Sequence, residues 1–255
     1  MAEPLYRGIV GAFKGVFRGL GMTLDITGVD NIPASGGAIL AINHTSYLDF
    51  ALGGVPADRR GRRLVRFMAK DSIFRHPVAG PLMRGMKHIP VDRDAGSAAF
   101  RDAVDAAKAG ELIGVFPEAT MSQSLEIKEL KNGAVRMARA AKVPLLPMII
   151  FGGHRVLAYD VRDFTRGRTI CMTVGEPLEI PRGTNPDELT VALHDRLKEL
   201  LDETIARYPD KPAGAPWIPQ RLGGSAPTLE EARAAEDERR ARKRAKREAS
   251  WPDSD

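Results

Sequence analysis

The sequence predicts an α/β domain with a largely parallel central sheet flanked by helices, an N-terminal amphipathic helix and a charged C-terminal tail. Three observations carry that expectation. Between residues 23 and 180, short apolar runs alternate with helical patterns, as strands and crossover helices do in a parallel sheet. Hydrophobic residues make up 43% of the 255, enough for a sizeable core and too many for wholesale disorder. Past residue 208 the composition changes abruptly, which sets the tail apart. The expected organisation is a helix within 1–22, an α/β domain over 23–208, and a Pro-rich linker with a charged tail over 209–255.

Residues 5–20 place Leu5, Ile9, Phe13, Val16 and Leu20 at helical spacing, with Arg7, Lys14 and Arg18 on the opposite side. Such a basic amphipathic helix can dock on its own domain, or lie in a lipid headgroup layer with its apolar face down. Gly8, Gly11, Gly15 and Gly19 weaken it in isolation, so protein or lipid must hold it. Strands are expected at 24–27, 38–42, 65–69, 88–91, 112–116, 145–151 and 169–174. Helical patterns between them cover 48–54, 77–84, 96–109 and 130–141. Residues 186–207 form a well-patterned helix, with Leu189, Leu193, Leu197, Leu200 and Leu201 on one face. Pro209, Pro212, Pro216, Pro219 and Pro227 then mark a linker rather than packed structure. Residues 228–249 read as a helix without an apolar stripe, acids first and bases last, in the sense the helix dipole favours. A solvated, partly frayed helical tail is expected, with anionic-lipid or nucleic-acid contact through 239–247 as the alternative.

Composition closes several function classes. One cysteine, Cys171, excludes an intramolecular disulfide framework and any multi-cysteine metal site. The histidines at 44, 76, 88, 154 and 194 contain no His-x3-His pair, so no metal is expected. The net charge of +5 is mildly basic and suits phosphate-bearing or anionic-membrane partners. No run approaches the roughly 18–20 apolar residues of a transmembrane helix. Arg7, Lys14 and Arg18 interrupt any signal-peptide core. The expected compartment is cytosolic, free or at a membrane surface.

The chemistry centres on Ile42-Asn43-His44-Thr45-Ser46-Tyr47-Leu48-Asp49. An apolar strand ends beside His44 and a helix starts near Ser46 or Tyr47. That places an imidazole at the carboxyl end of a strand, where open α/β sheets hold ligands. Asp49, five residues on, can fold its carboxylate back to one ring nitrogen and leave the other as a general base. By itself the pair also fits a surface histidine beside a helix-capping acid. Three further segments change that weighing: Lys87-His88-Ile89-Pro90-Val91-Asp92-Arg93, Phe116-Pro117-Glu118-Ala119-Thr120 and Val143-Pro144-Leu145-Leu146-Pro147.

In this order and spacing, NHTSYLD, HIPVDR, FPEAT and VPLLP resemble the signature of the glycerolipid acyltransferase family, typified by 1-acylglycerol-3-phosphate acyltransferases, over about residues 25–180. The resemblance implies His44 as general base and Asp49 as its orienting partner. It implies Arg93 and Glu118 around the acceptor's glycerol phosphate, and it matches Lys70 and Lys131 to lysines the family carries before its second and after its third segment. The last segment would be structural and line the acyl site. Basic residues suit a phosphomonoester acceptor, and Arg suits bidentate contact. The third segment departs from the usual Glu-Gly-Thr-Arg-Ser, with Ala119 for the glycine and Met121 for the base. That departure bears on the acceptor's identity more than on the reaction.

The function implied is transfer of a fatty acyl group from a thioester to a hydroxyl of a lysophosphatidate-like acceptor, in phospholipid biosynthesis. The donor is acyl-CoA or acyl carrier protein, a substrate rather than a cofactor, and no cofactor is expected. No Gly-x-Ser-x-Gly elbow is present and Cys171 sits in an expected strand, so no covalent acyl-enzyme is needed. The expected partners are the thioester, the lipid acceptor and a membrane surface met through residues 5–20, peripherally on the cytoplasmic face of the cell membrane; no nucleic acid is expected. The alternatives are another lysophospholipid or glycolipid acceptor, a thioester hydrolase, or a non-catalytic lipid-binding protein on the same fold.

Overall fold

The computed structural model describes residues 3–92, 96–181 and 183–249. The chain opens with α1 (Pro4–Gly19), whose Pro4 costs no hydrogen bond in the first turn. It continues through β1 (Thr23–Thr27), β2 (Ala38–Ile42), α2 (Asp49–Gly53) and α3 (Val55–Arg59). Next come β3 (Val65–Lys70), α4 (Asp71–Phe74), α5 (Ala79–Gly85), β4 (Ile89–Val91) and α6 (Gly96–Lys108). The centre holds β5 (Leu112–Val115), α7 (Gly133–Ala141), β6 (Leu145–Phe151), β7 (Leu157–Ala158), β8 (Val161–Arg162) and β9 (Thr169–Val174). Two long helices close it, α8 (Pro186–Arg207) and α9 (Leu229–Ala249).

Seven strands form one sheet in the order β1-β9-β6-β2-β5-β3-β4, and β7 pairs with β8 in a small hairpin. Neighbours in the large sheet are parallel except β6 and β9, which run antiparallel. The buried run AILAI of β2 divides its side chains by the strand's period of two. Ile39 and Ala41 enter a core shared with α6, α7 and α8. Ala38, Leu40 and Ile42 enter a second core with Leu52, Ala57 and Phe17 of α1. The result is a sheet covered on both faces, the usual condition for buried parallel strands.

The five leucines expected on one face of α8 are all buried. Its start is fixed by Pro186 and by the Asn185 side chain, which accepts the N–H of Asp187. The helical pattern at 48–54 is α2, and a further short helix, α3, follows it with Pro56 in its first turn.

Helix α1 docks on the domain. Tyr6 and Phe17 are buried, and the Tyr6 hydroxyl donates to the Val65 carbonyl at 2.6 Å. Arg7 donates to the Arg62 carbonyl and Lys14 pairs with Asp58, so these two bases face protein. Leu5, Phe13 and Val16 keep 47%, 40% and 54% of their surface exposed, so part of the apolar face is left outward.

Residues 209–227, expected as a linker rather than packed structure, lie against the domain instead: Ala215, Ile218 and Ala226 are buried. The prolines restrict the backbone without preventing the apolar residues between them from packing. A reciprocal capping box then starts α9, Glu231 N–H donating to Thr228 Oγ1 and Thr228 N–H to a Glu231 carboxylate oxygen. The helix makes specific contacts with the domain: Lys128 pairs with Glu236 at 2.8 Å, and the Arg239 guanidinium lies 4.7 Å over the Tyr159 ring. Among the described residues, no helix is long and apolar enough to cross a membrane.

Candidate active site

The site is built where β2 ends. Asn43 extends the sheet through its side chain, donating to the Ile150 carbonyl and accepting the Ile150 N–H at 3.1 and 2.7 Å. This fixes the next residue, His44, against β6. The His44 N–H donates to Glu118 Oε1 at 2.9 Å and its carbonyl accepts the Ser122 N–H at 2.7 Å. Its ring stacks on Phe116, with centroids 4.3 Å apart.

A tight turn brings Asp49 back to the ring. Asp49 Oδ2 lies 2.9 Å from His44 Nδ1 and also accepts the N–H groups of Thr45 and Ser46, at 2.7 and 2.8 Å. The carboxylate is fully buried at the start of α2. An oxygen already accepting two backbone donors is best completed by a third, so Nδ1 carries the ring hydrogen. Nε2 is left as the basic nitrogen.

Glu118 stands behind this pair. Its second oxygen accepts the Lys128 N–H at 3.0 Å, so one carboxyl group joins the His44 strand end to the loop after β5. Burial pushes the Glu118 carboxyl up to about 7, against the opposing pull of those two backbone donors. Ala119 follows with φ of +62°, the left-handed conformation for which glycine is the usual residue.

A cavity of about 550 Å³ opens at His44. Helix α1 supplies one wall with Tyr6, Ile9, Val10, Phe13 and Phe17, and Phe50, Val55, Ile73, Met83 and Met86 line much of the rest. The polar groups of the lining include His44, Tyr47, Lys70, His88, Thr120 and Tyr159, with the Lys14–Asp58 ion pair at the α1 wall. His88 is a satisfied neutral imidazole, its Nδ1 accepting the Phe67 N–H at 3.0 Å, with burial lowering its pKa to about 4. The apolar lining suits an apolar ligand group beside the imidazole.

Of the residues singled out from sequence, His44, Asp49 and Lys70 converge here, Lys70 at the exposed end of β3. Glu118 does not line the cavity and instead clamps two backbone amides. Lys131 lines a separate groove with Asp187, Val191 and His194. Arg93 lies outside the described residues. Met121 is buried and lines the cavity where the family pattern carries a base. Cys171 is buried, and desolvation pushes its thiol up to about 11, which makes it a poor nucleophile.

Sequence reasoning missed Lys128, whose ammonium donates to the Thr120 hydroxyl and to Glu236. No local spacing announces it, because its partner is 108 residues away. It also missed Asn43 as a side-chain extension of the sheet. The one available signal was a polar residue directly after a fully apolar strand.

An imidazole held by a buried carboxyl group stands at the carboxyl edge of a mostly parallel sheet and faces a cavity with largely apolar walls, the position at which open α/β proteins hold ligands. The chain matches the Acyltransferase family over residues 23–151, a span that contains His44, Asp49 and Glu118, and it belongs to that family. It is 29% identical over 181 residues to the 1-acyl-sn-glycerol-3-phosphate acyltransferase of Bacillus subtilis (strain 168), covering 67% of this chain and 84% of that one. A protein of the same name from Limnanthes douglasii is 29% identical over 187 residues, covering 70% and 62%. The fold is similar to the crystal structure of the 1-acyl-sn-glycerophosphate (LPA) acyltransferase PlsC from Thermotoga maritima, with a TM-score of 0.65 at 24% identity over 80% of this chain and 81% of that one. These likenesses support a glycerolipid acyltransferase.

Proposed function

We propose that the protein transfers a fatty acyl group from a thioester, acyl-CoA or acyl carrier protein, to the free hydroxyl of a lysophosphatidate-like acceptor at the cytoplasmic face of the membrane. The observation that carries this reading is the His44–Asp49 pair at the wall of a largely apolar cavity of about 550 Å³. His44 Nε2 takes the acceptor hydroxyl proton as that oxygen attacks the thioester carbonyl. Asp49 holds the tautomer and stabilises the imidazolium that forms. Collapse of the tetrahedral intermediate breaks the carbon–sulfur bond, and the imidazolium returns the proton to the departing thiolate. The apolar walls exclude water that the same base would otherwise turn against the thioester. Lys70 and Arg93 provide positive charge for the acceptor phosphate.

Purified protein incubated with a labelled acyl thioester and, separately, glycerol-3-phosphate, lysophosphatidate or larger lysophospholipids tests this reading. Labelled phosphatidate formed from lysophosphatidate and lost with His44→Ala is the expected result. Acceptor-independent release of free fatty acid would reassign the protein as a hydrolase, and no turnover of any thioester would leave a lipid-binding protein.

A further inference from the structure

A second cavity, of about 370 Å³, lies beside the first and has no part in the scheme above. Tyr159 lines both, and Thr45, the residue after His44, lines the second. The Pro-rich segment contributes Pro216, Trp217 and Pro227 to its wall. The buried side-chain nitrogens and oxygens left without a hydrogen-bond partner among the described residues are Thr45 Oγ1, Asp49 Oδ1, His154 Nδ1 and Arg168 Nε. Three of those four residues, Thr45, His154 and Arg168, line this one cavity. Unpartnered buried polar atoms are costly and rare, so three around one space point to a ligand that satisfies them.

The chemistry of the three groups narrows the ligand. His154 is held on a one-turn helix, Gly153–Arg155, that follows a sharp turn at Gly152, where φ is +106° and a Cβ would meet the Thr169 carbonyl at 2.4 Å. Its Nε2 lies 3.2 Å from the Trp217 carbonyl, which can only accept, so Nε2 bears the hydrogen. Burial keeps the ring neutral, lowering its pKa to about 4, so Nδ1 is an acceptor in need of a donor. Thr45 offers a hydroxyl and Arg168 an N–H. The formal charges of the wall are already matched, Arg155 with Asp210 at 2.5 Å and Arg168 with Asp163. The wall therefore does not select an anion. A neutral amide supplies what these groups lack, an N–H for His154 Nδ1 and a carbonyl for the Thr45 hydroxyl or Arg168 Nε. Leu125, Val161 and Pro216 suit the methylenes between amides.

We infer that this cavity receives the amide-bearing arm of the thioester donor, while the acyl chain occupies the cavity beyond His44. The inference rests on the acyl-transfer reading and assigns a place to the pantetheine arm of its donor. The arm is common to coenzyme A and acyl carrier protein, so the site recognises the feature they share.

Two measurements test it. In the first, S-methylpantetheine is titrated into the full chain with ¹⁵N-labelled histidine. The His154 Nδ1 resonance is expected to move upfield as it accepts a hydrogen bond; no movement at millimolar probe would mean that the cavity holds water only, and would overturn the inference. In the second, octanoyl-pantetheine is compared with the octanoyl ester of ethanethiol, which has no amide. Thr45→Val and His154→Phe are each expected to lower the kcat/KM preference for the pantetheine donor by about five- to tenfold. An unchanged preference in both variants would assign these residues to packing. Failure of the wild type to turn over either donor would remove the acyl-transfer reading, while the resonance shift would still decide whether the arm binds.

Discussion

The backbone N–H of His44 donates to the buried carboxyl of Glu118 at 2.9 Å, so the histidine of the site is positioned through its main chain by a residue from a different strand end. The resemblance placed Glu118 beside the acceptor phosphate; the geometry instead makes it the joint between the histidine and the 128 loop. A carboxyl raised to about 7 shares this joint with two backbone donors.

That joint predicts a pH-dependent stability. The folded state holds the Glu118 proton more tightly than the unfolded chain, whose carboxyl has its ordinary value near 4.5. The stabilisation is therefore complete below about 4.5 and lost as pH rises through about 7. His88 and His154, both held neutral with pKa near 4, act in the opposite sense: their contribution is lost as pH falls from 6.5 through 4. Denaturant unfolding of wild type and Glu118→Gln across pH 4.5–7 isolates Glu118. Wild type should lose on the order of 3 kcal/mol relative to the variant over that window. A difference that stays constant with pH would remove the raised carboxyl from the account.

The dyad predicts a split between chemistry and folding. His44→Ala should leave thermal stability near wild type and lower kcat by roughly 10²-fold or more. Asp49→Asn should damage kcat more than acceptor KM, because Oδ2 sets the ring tautomer while the acceptor meets Nε2. Steady-state kinetics with a short soluble acceptor reads both. Retention of most activity by pure His44→Ala protein would exclude the general-base mechanism.

Helix α1 predicts that adjacent residues report different things. Phe17 is buried in the core, so Phe17→Ala should cost about 3–5 kcal/mol of stability. Val16 faces outward with 54% of its surface exposed, so Val16→Asp should change stability by about 0.5 kcal/mol or less while reducing partition onto anionic liposomes. Because Lys14 is paired with Asp58, the salt dependence of that partition should be weaker than three free bases would give. Liposome pelleting of Val16→Asp equal to wild type would remove α1 as the membrane contact.

The acceptor site predicts an asymmetry between two lysines. Lys70→Ala, at the cavity, should raise KM roughly 10-fold or more for a phosphate-bearing acceptor and far less for a neutral analogue. Lys131→Ala, in a separate groove, should leave both near wild type. Equal losses for the two variants would return Lys131 to the phosphate site.

Ala119 predicts a stabilising change. Its φ of +62° strains any residue with a Cβ, so Ala119→Gly should raise unfolding free energy by about 0.5–1 kcal/mol in denaturant titration. A loss of stability would mean that the Ala119 methyl contributes more by packing than its backbone costs.

Much of the frame was legible because it depends on local periodicity. The apolar runs at 38–42, 145–151 and 169–174 are strands with those bounds, and the leucine face at 186–207 is the buried face of α8. His44 and Asp49 were legible as a pair because five residues across a strand–helix turn fix their distance with little help from the rest of the chain. The antiparallel setting of β9 was not legible, since an apolar run in the centre of a sheet reads the same in either direction.

Sequence alone thus determined the alternating α/β frame, the dyad at the end of β2 and the amphipathic character of α1, all set by spacing within a few residues. Only the tertiary structure decided which charges meet which partners: Glu118 with the His44 backbone, Lys131 away from the cavity, and Lys128 with Glu236 across 108 residues. It also decided that the proline-rich segment packs and walls a second cavity. Charge and proline content describe what a residue can do, whereas its partner is chosen by burial and by the long-range topology that brings distant strand ends and the tail to one edge of the sheet.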